Sequence, residues 1–312
     1  MVFLFQIAAL LAIVACGAFA HRRFLSDAGV REIARLATDV AYPALIVDSV
    51  LAFSISDLAA NALLPLAAVA VALVGLLPAA VCIPLFFRRT PAATRRAFAF
   101  QCLINNYLFL PLPIIASLYG PRGVALLVFA SLGFEIVLWS IGVSLFAARP
   151  GWRSLAAALA SPPFVALLLG LLYVLLRPVL PIPSSPVALA ARSAARGALS
   201  LLGAATVPMA MMVAGARFAT MPLSTLRLPA VWLAVFLRLL LIPLLALPLL
   251  RLFPLPTDAR AILAIVATMP CALVSSLLCE RHGGDAPFIS GTLLLSHLLA
   301  IATVPLLLSL FP

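Results

Sequence analysis

The sequence predicts an all-α integral membrane protein of ten transmembrane helices, arranged as two inverted five-helix repeats with helices 4 and 9 interrupted. Three observations carry this expectation. The 312 residues are 65% hydrophobic and 9% charged, with a mean hydropathy of +1.25, well outside the composition of a soluble globular domain. At that hydropathy the chain supplies about ten spans. Residues 101–120 are long and apolar enough to cross a bilayer, yet they hold Gln101, Asn105, Asn106, Pro111 and Pro113. A second proline break, at Pro270, stands at the corresponding place in the other half of the chain.

The break within 101–120 follows from elementary chemistry. Each proline removes a backbone donor and clashes with the carbonyl four residues earlier, so a regular helix does not run through it. Lipid cannot satisfy the freed carbonyls, and such a break persists only against protein or a water-filled cavity. Asn105 and Asn106 place amides where open backbone already coordinates, the mark of a discontinuous helix at a transport site. A plain proline kink with asparagines as interhelical packing contacts also fits this stretch taken alone.

Along the chain, span 1 covers about 2–20. An amphipathic stretch, 24–36, with Ser26 or Asp27 as N-cap, leads into span 2, about 32–53, which Pro43 interrupts. Span 3 runs over 61–87, the broken span 4 over 101–120, and span 5 over 122–147. Spans 6 to 10 fall at about 162–179, 196–216 with Pro208, 228–253, 259–280 with Pro270, and 286–311. The first repeat is thus 1–147, a hydrophilic linker 148–161, and the second repeat 162–312. The sequence around Pro43 resembles that around Pro208, and Pro113-Ile-Ile-Ala-Ser resembles Pro270-Cys-Ala-Leu-Val-Ser. A five-span unit crosses the membrane an odd number of times, so its copy enters from the opposite side. Paired interrupted helices in inverted halves point to a midplane binding site.

All 20 basic residues are arginine, giving a net charge of +11. They are scattered through short loops, a pattern that gives no nucleic-acid face. The odd-numbered loops with their flanks hold thirteen of them and the even-numbered loops six. The positive-inside rule then puts the odd loops in the cytoplasm of a cell whose inner membrane the chain spans, with both termini outside. The five cysteines sit in apolar runs without metal-ligand spacing and read as small buried hydrophobes. Val2–Ala20 lacks a basic n-region and reads as a first span rather than a cleaved signal.

The stretch from Leu25 to Ile46, ending Tyr-Pro-Ala-Leu-Ile, resembles the start of bacterial transporters of the auxin efflux carrier family. The resemblance continues through Asn106 to Pro113 with Tyr119-Gly120, through Ser161-Pro-Pro-Phe-Val-Ala to Gly170, through Val207-Pro-Met-Ala-Met-Met to Gly215, and through Met269-Pro270 to Leu295-Ser296 and Pro305. It covers nearly the whole chain in order. It implies a ten-helix inverted-repeat carrier with crossover helices 4 and 9 that exports or exchanges small organic anions. At the first crossover the family pattern is Asn-x-Gly-Phe-x-Gly-x-Pro; Asn106 and Pro113 match, whereas Leu108 and Pro111 replace the glycines. Four residues past Pro270 the family often places asparagine, and this chain has Val274 followed by Ser275 and Ser276.

Substrate binding is therefore expected at Asn105, Asn106, Pro111, Pro113, Pro270 and Ser275, with scaffold kinks at Pro43 and Pro208. Ionisable residues inside a membrane are costly, which makes each a functional hypothesis. Glu135 is a proton carrier or a neutral acid bonded to Ser131 or another neighbour. Asp48 lies nearer the outer end of span 2 and suits an interfacial role. Arg238 is a counter-charge for substrate, or it snorkels or pairs with Glu135. His297 is a proton carrier or a packing residue. The expected partners are a small organic anion, a coupling proton or sodium ion as an open option, and membrane lipid, with a homodimer equally open. No cofactor or metal is expected. The sequence holds no His-Glu-x-x-His, Gly-rich phosphate loop or paired acidic motif of an enzyme. An intramembrane enzyme would bring Glu135 and His297 to one cavity, and a channel or sensor would keep spans 4 and 9 continuous.

Overall fold

The computed structural model describes residues 2–146, 159–180, 185–220, 223–282 and 284–310, and their regular structure is helical throughout. The expected linker at 148–161 lies outside the described residues except for its last three. Helix α1 is Val2–Arg23. Asp27–Leu36, a π turn at Ala37–Ala41 and Tyr42–Val50 form one rod, α2. Of the two expected caps, Ser26 and Asp27, it is Ser26 that starts it, its hydroxyl accepting from the Gly29 N–H. The π turn precedes Pro43 and lets the helix continue to Val50 rather than stop. Next come α3, Ile55–Phe86, and α4, Ala92–Leu103. Helix α3 begins earlier than the hydropathy suggested because Ser54 and Asp57 form a capping box.

Helix α5 covers Pro111–Phe146 and turns sharply at Gly120 (φ 61°, ψ −158°). That backbone region is open essentially to glycine alone, so one residue separates the second half of broken span 4 from span 5. Then follow α6, Pro162–Leu176; α7, Pro186–Ala219, with a break at Ala205 three residues before Pro208; and α8, Pro229–Leu252. The last three are α9, Thr257–Ala267, α10, Val274–His282, and α11, Ala286–Leu310.

Five of these helices, α3, α5, α7, α8 and α11, are long and apolar enough to cross a membrane. Helix α6 is apolar but only 15 residues long. At 1.5 Å per residue α4 and α9 reach only about 16–18 Å, roughly half a hydrocarbon core.

Two groups of helices pack mainly within themselves. In one, α1 lies along α7, and α2 lies against α6 and α7. The α1–α7 contact is backbone to backbone: a Cβ on Gly215 would meet the Val14 carbonyl oxygen at 1.8 Å, and one on Gly17 would meet that of Met212 at 2.1 Å. The other group is α3, α4, α5, α8, α9, α10 and α11, with α3 and α9 both against α5 and α8 against α11. The groups meet chiefly where α2 faces α5.

Candidate functional site

The chain opens twice inside the second group, after α4 and after α9, and the two openings cross. Leu103 ends α4, Ile104 is extended, and Asn105 forms an antiparallel bridge with Cys271. The Asn106 N–H donates to the Pro270 carbonyl at 2.7 Å, and the Cys271 N–H donates to Ser296 Oγ at 3.3 Å. The unwound segments thus find backbone partners in each other and in α11, which is what allows open chain at this depth. The prolines start helices or sit in the break rather than kinking a continuous rod. Pro111 takes the first position of α5 and Pro113 its first turn, where a missing N–H leaves no acceptor unmet. Pro270 lies in the second opening and serves only as an acceptor.

The carbonyls that close α4 and α9 have no partner within their helices. Arg238 supplies one to each. Its Nη1 donates to the Cys102 oxygen at 3.0 Å and its Nη2 to the Ala267 oxygen at 3.2 Å, with the side chain 1% exposed. Two helix C-termini, each carrying roughly half a negative charge, surround the guanidinium. Its bonds go to these carbonyls and not to Glu135.

A buried polar lattice ties the crossing to α11. Gln101 Nε2 donates to Thr292 Oγ1 at 2.7 Å and to Ser275 Oγ at 3.3 Å, while Ser275 donates onward to the Ala272 oxygen. Asn105 Nδ2 donates to the Val266 oxygen at 2.5 Å. Gln101 Oε1 and Asn105 Oδ1 are left buried without a donor. Among the described residues no cluster of three or more His, Cys, Asp or Glu forms a metal site.

A cavity of about 460 Å³ opens beside the crossing, between the two helix groups. It is lined by Asn105, Asn106 and residues 272–274, which lead into α10, by Thr38, Asp39 and Tyr42 of α2, and by Glu135 of α5. Helix α10 begins at this cavity and brings the positive end of its dipole there, with the Ser275 and Ser276 N–H groups bonded to the Ala272 and Leu273 carbonyls. At the start of α5, Pro111 and Pro113 have no N–H, Leu112 donates to the Leu108 carbonyl and Leu110 to Asn106 Oδ1. Glu135 accepts from the Tyr107 hydroxyl at 2.8 Å and from Trp139 Nε1 at 2.7 Å, while Ser131 donates to the Val128 carbonyl. Tyr107 itself stacks on Phe134. Among the described residues no cationic side chain lines this cavity. Its polar lining consists of amides, hydroxyls, the Asp39 and Glu135 carboxyl groups and the first residue of α10.

His297 faces a different, apolar pocket of about 100 Å³ together with Phe218 and Met211. A carbonyl cannot donate, so His297 Nδ1 carries the proton it shares with the Leu293 oxygen at 2.8 Å, and Nε2 accepts from Asn106 Nδ2 at 3.3 Å. Asn106 bridges the two cavities: its oxygen also receives the Leu110 N–H at 3.4 Å. Glu135 and His297 therefore do not converge on one space. Asp48 stands apart from both and pairs with Arg196 at 3.5 Å.

Sequence reasoning passed over Tyr107 and Trp139, the residues that hold Glu135, because single aromatics in apolar runs read as packing. It also passed over three π turns, at Ala37–Ala41, Leu138–Gly142 and Leu237–Leu241. Each inserts a residue and redirects a polar side chain: Thr38 and Asp39, Trp139, and Arg238. Polar residues isolated within long apolar runs are the one signal that marked these places.

A family model described as membrane transport protein matches the chain twice, over residues 2–157 and 152–308. The two matches together span almost the whole sequence and divide it near its middle. No curated protein matches the chain.

Proposed function

The chain belongs to this family of membrane transporters, the auxin efflux carriers, and from that premise we propose that it is a secondary carrier exporting a small organic carboxylate across the inner membrane by alternating access. The observation that carries the proposal is the pair of helix breaks locked to each other beside a 460 Å³ cavity. The N-terminal end of α10 and the Asn106 amide favour a carboxylate. The cavity volume suits a small molecule.

Two matches of one family model, together with breaks at α4/α5 and α9/α10, support ten spans in two inverted repeats. In this arrangement α4 with the first arm of α5, and α9 with α10, are the two crossovers, and both termini lie outside. The group α1, α2, α6 and α7 is the scaffold. The crossover group slides against it, carrying the cavity from one side of the membrane to the other. Catalysis has less support, since the family is one of transporters and Glu135 and His297 face separate cavities.

Coupling has two sites to act at. A carboxylate bound near Glu135 and Asp39 is easiest to accommodate when an acid there carries a proton. A sodium ion would instead use the unpartnered oxygens of Gln101 and Asn105. Replacing sodium by choline in a transport buffer separates the two.

The proposal is tested by screening small carboxylates for thermal stabilisation of the protein in nanodiscs. A carboxylate that raises the melting temperature of wild type and not of Asn106→Ala places the anion at the crossover. Equal responses of two well-folded proteins to every acid would remove it from there.

A further inference from the structure

Away from the crossing, Arg177, Arg192 and Arg196, all three exposed, line a second large cavity, of about 440 Å³, open on one side and walled by α2, α6 and α7. Helix geometry builds the cluster. Tyr173 and Arg177 lie one turn apart at the end of α6, and Arg192 and Arg196 lie one turn apart on α7, so each pair shares a helix face. Gly170 lets α6 approach α2, since a Cβ there would sit 3.1 Å from Cγ1 of Val50. The rest of the wall is largely apolar, including Val47, Leu51, Leu169 and Leu199.

The charges do not balance. Asp48 neutralises Arg196, and among the described residues neither Arg177 nor Arg192 pairs with an acid. Two guanidinium groups therefore share a partly apolar cavity with no counter-charge. A bound anion would supply that counter-charge. Their side of the membrane makes this more pointed. The even-numbered loops hold only six arginines, and three of them line this one cavity. The orientation rule, which favours arginine on the other side, does not account for their being here.

We propose that this cavity binds an anionic phospholipid, with the phosphate held by Arg177 and Arg192 and an acyl chain laid along Val47, Leu51, Leu169 and Leu199. Guanidinium forks match phosphate oxygens in two-point contacts, and basic pockets between transmembrane helices take charged headgroups. The apolar wall selects a lipid over a free anion. The cavity lies within the scaffold group, so the lipid braces α2, α6 and α7 and does not compete with the transported carboxylate.

The test uses the full chain in phosphatidylcholine nanodiscs, titrated with phosphatidylglycerol, with extra phosphatidylcholine, or with inorganic phosphate, and read by native mass spectrometry and melting temperature. The proposal expects phosphatidylglycerol to bind wild type about ten-fold more tightly than phosphatidylcholine, and inorganic phosphate to have no effect. The double variant Arg177→Gln/Arg192→Gln, which keeps the Asp48–Arg196 pair, should lose that preference. Arg251→Gln, a charge removed elsewhere on the same side, should keep it. If the double variant does not fold, Arg192→Gln alone should lose a measurable part of the preference. Wild type showing no preference for phosphatidylglycerol, inorganic phosphate binding as well as the lipid, or an unchanged preference in the folded Arg192→Gln variant would each overturn the proposal.

Discussion

Arg238 offers the sharpest perturbation of the crossing. It is a charge buried to 1% exposure whose two Nη groups close the last carbonyls of α4 and α9. Arg238→Met keeps most of the volume and removes both donors. Hydrogen bonds from a charged group contribute about 1.5–3 kcal/mol each, so two account for about 3–6 kcal/mol. Methionine recovers part of the cost of burying a charge. It leaves two helix-end carbonyls in a dry interior, however, and that puts the net loss at about 3–5 kcal/mol. Arg238→Lys should fall between, because a single ammonium does not reproduce the planar two-point fork. The assay is equilibrium unfolding in mixed micelles, with carboxylate binding measured in parallel on whatever fraction is folded. A methionine variant within about 1 kcal/mol of wild type that had lost carboxylate binding would refute the reasoning. Arg238 would then be a counter-charge for substrate and not the clamp on the two half-helices.

Three further substitutions probe other parts of the account. Gly120→Ala meets no atom within 4 Å, so its effect is the backbone penalty alone, about 1–3 kcal/mol in the same unfolding assay; an unchanged stability would contradict the one-residue turn. Gly215→Leu drives a side chain into the Val14 carbonyl, 1.8 Å from the first added carbon, and should cost at least about 1–3 kcal/mol by separating α1 from α7. Glu135→Gln presents one acceptor where Tyr107 and Trp139 both donate, and should lose about 1.5–3 kcal/mol. If Glu135 carries the coupling proton, the same variant abolishes uptake driven by a pH gradient while carboxylate exchange persists, as proteoliposome flux would record.

The parts of the fold visible in the sequence were those with strong local chemistry. Prolines inside apolar runs located both openings, the pair Pro111 and Pro113 at one and Pro270 alone at the other, and Ser26 or Asp27 marked the start of α2, because a missing donor and a capping side chain act within a few residues. What the sequence left out was set by long-range packing. Pro111 and Pro113 marked a break within span 4 but not its exact place: the chain opens upstream of them to pair with the segment around Pro270, and they begin the second half. Pro43 suggested an interruption, and a π turn absorbs it. The position of Arg238 between two helix ends depends on three segments far apart in sequence, which no local pattern encodes. Asn106 was visible as an intramembrane amide, but its link to His297 across 191 positions was not.

The most direct test of the central claim is carboxylate exchange in proteoliposomes, comparing wild type with Asn106→Ala after matching their amounts and unliganded stabilities. The account predicts saturable exchange of a labelled small carboxylate by wild type, and a loss of about ten-fold or more when the Asn106 amide is removed. Exchange that is unaffected by Asn106→Ala, or wild-type flux that never saturates, would contradict a binding site formed where the two broken helices cross.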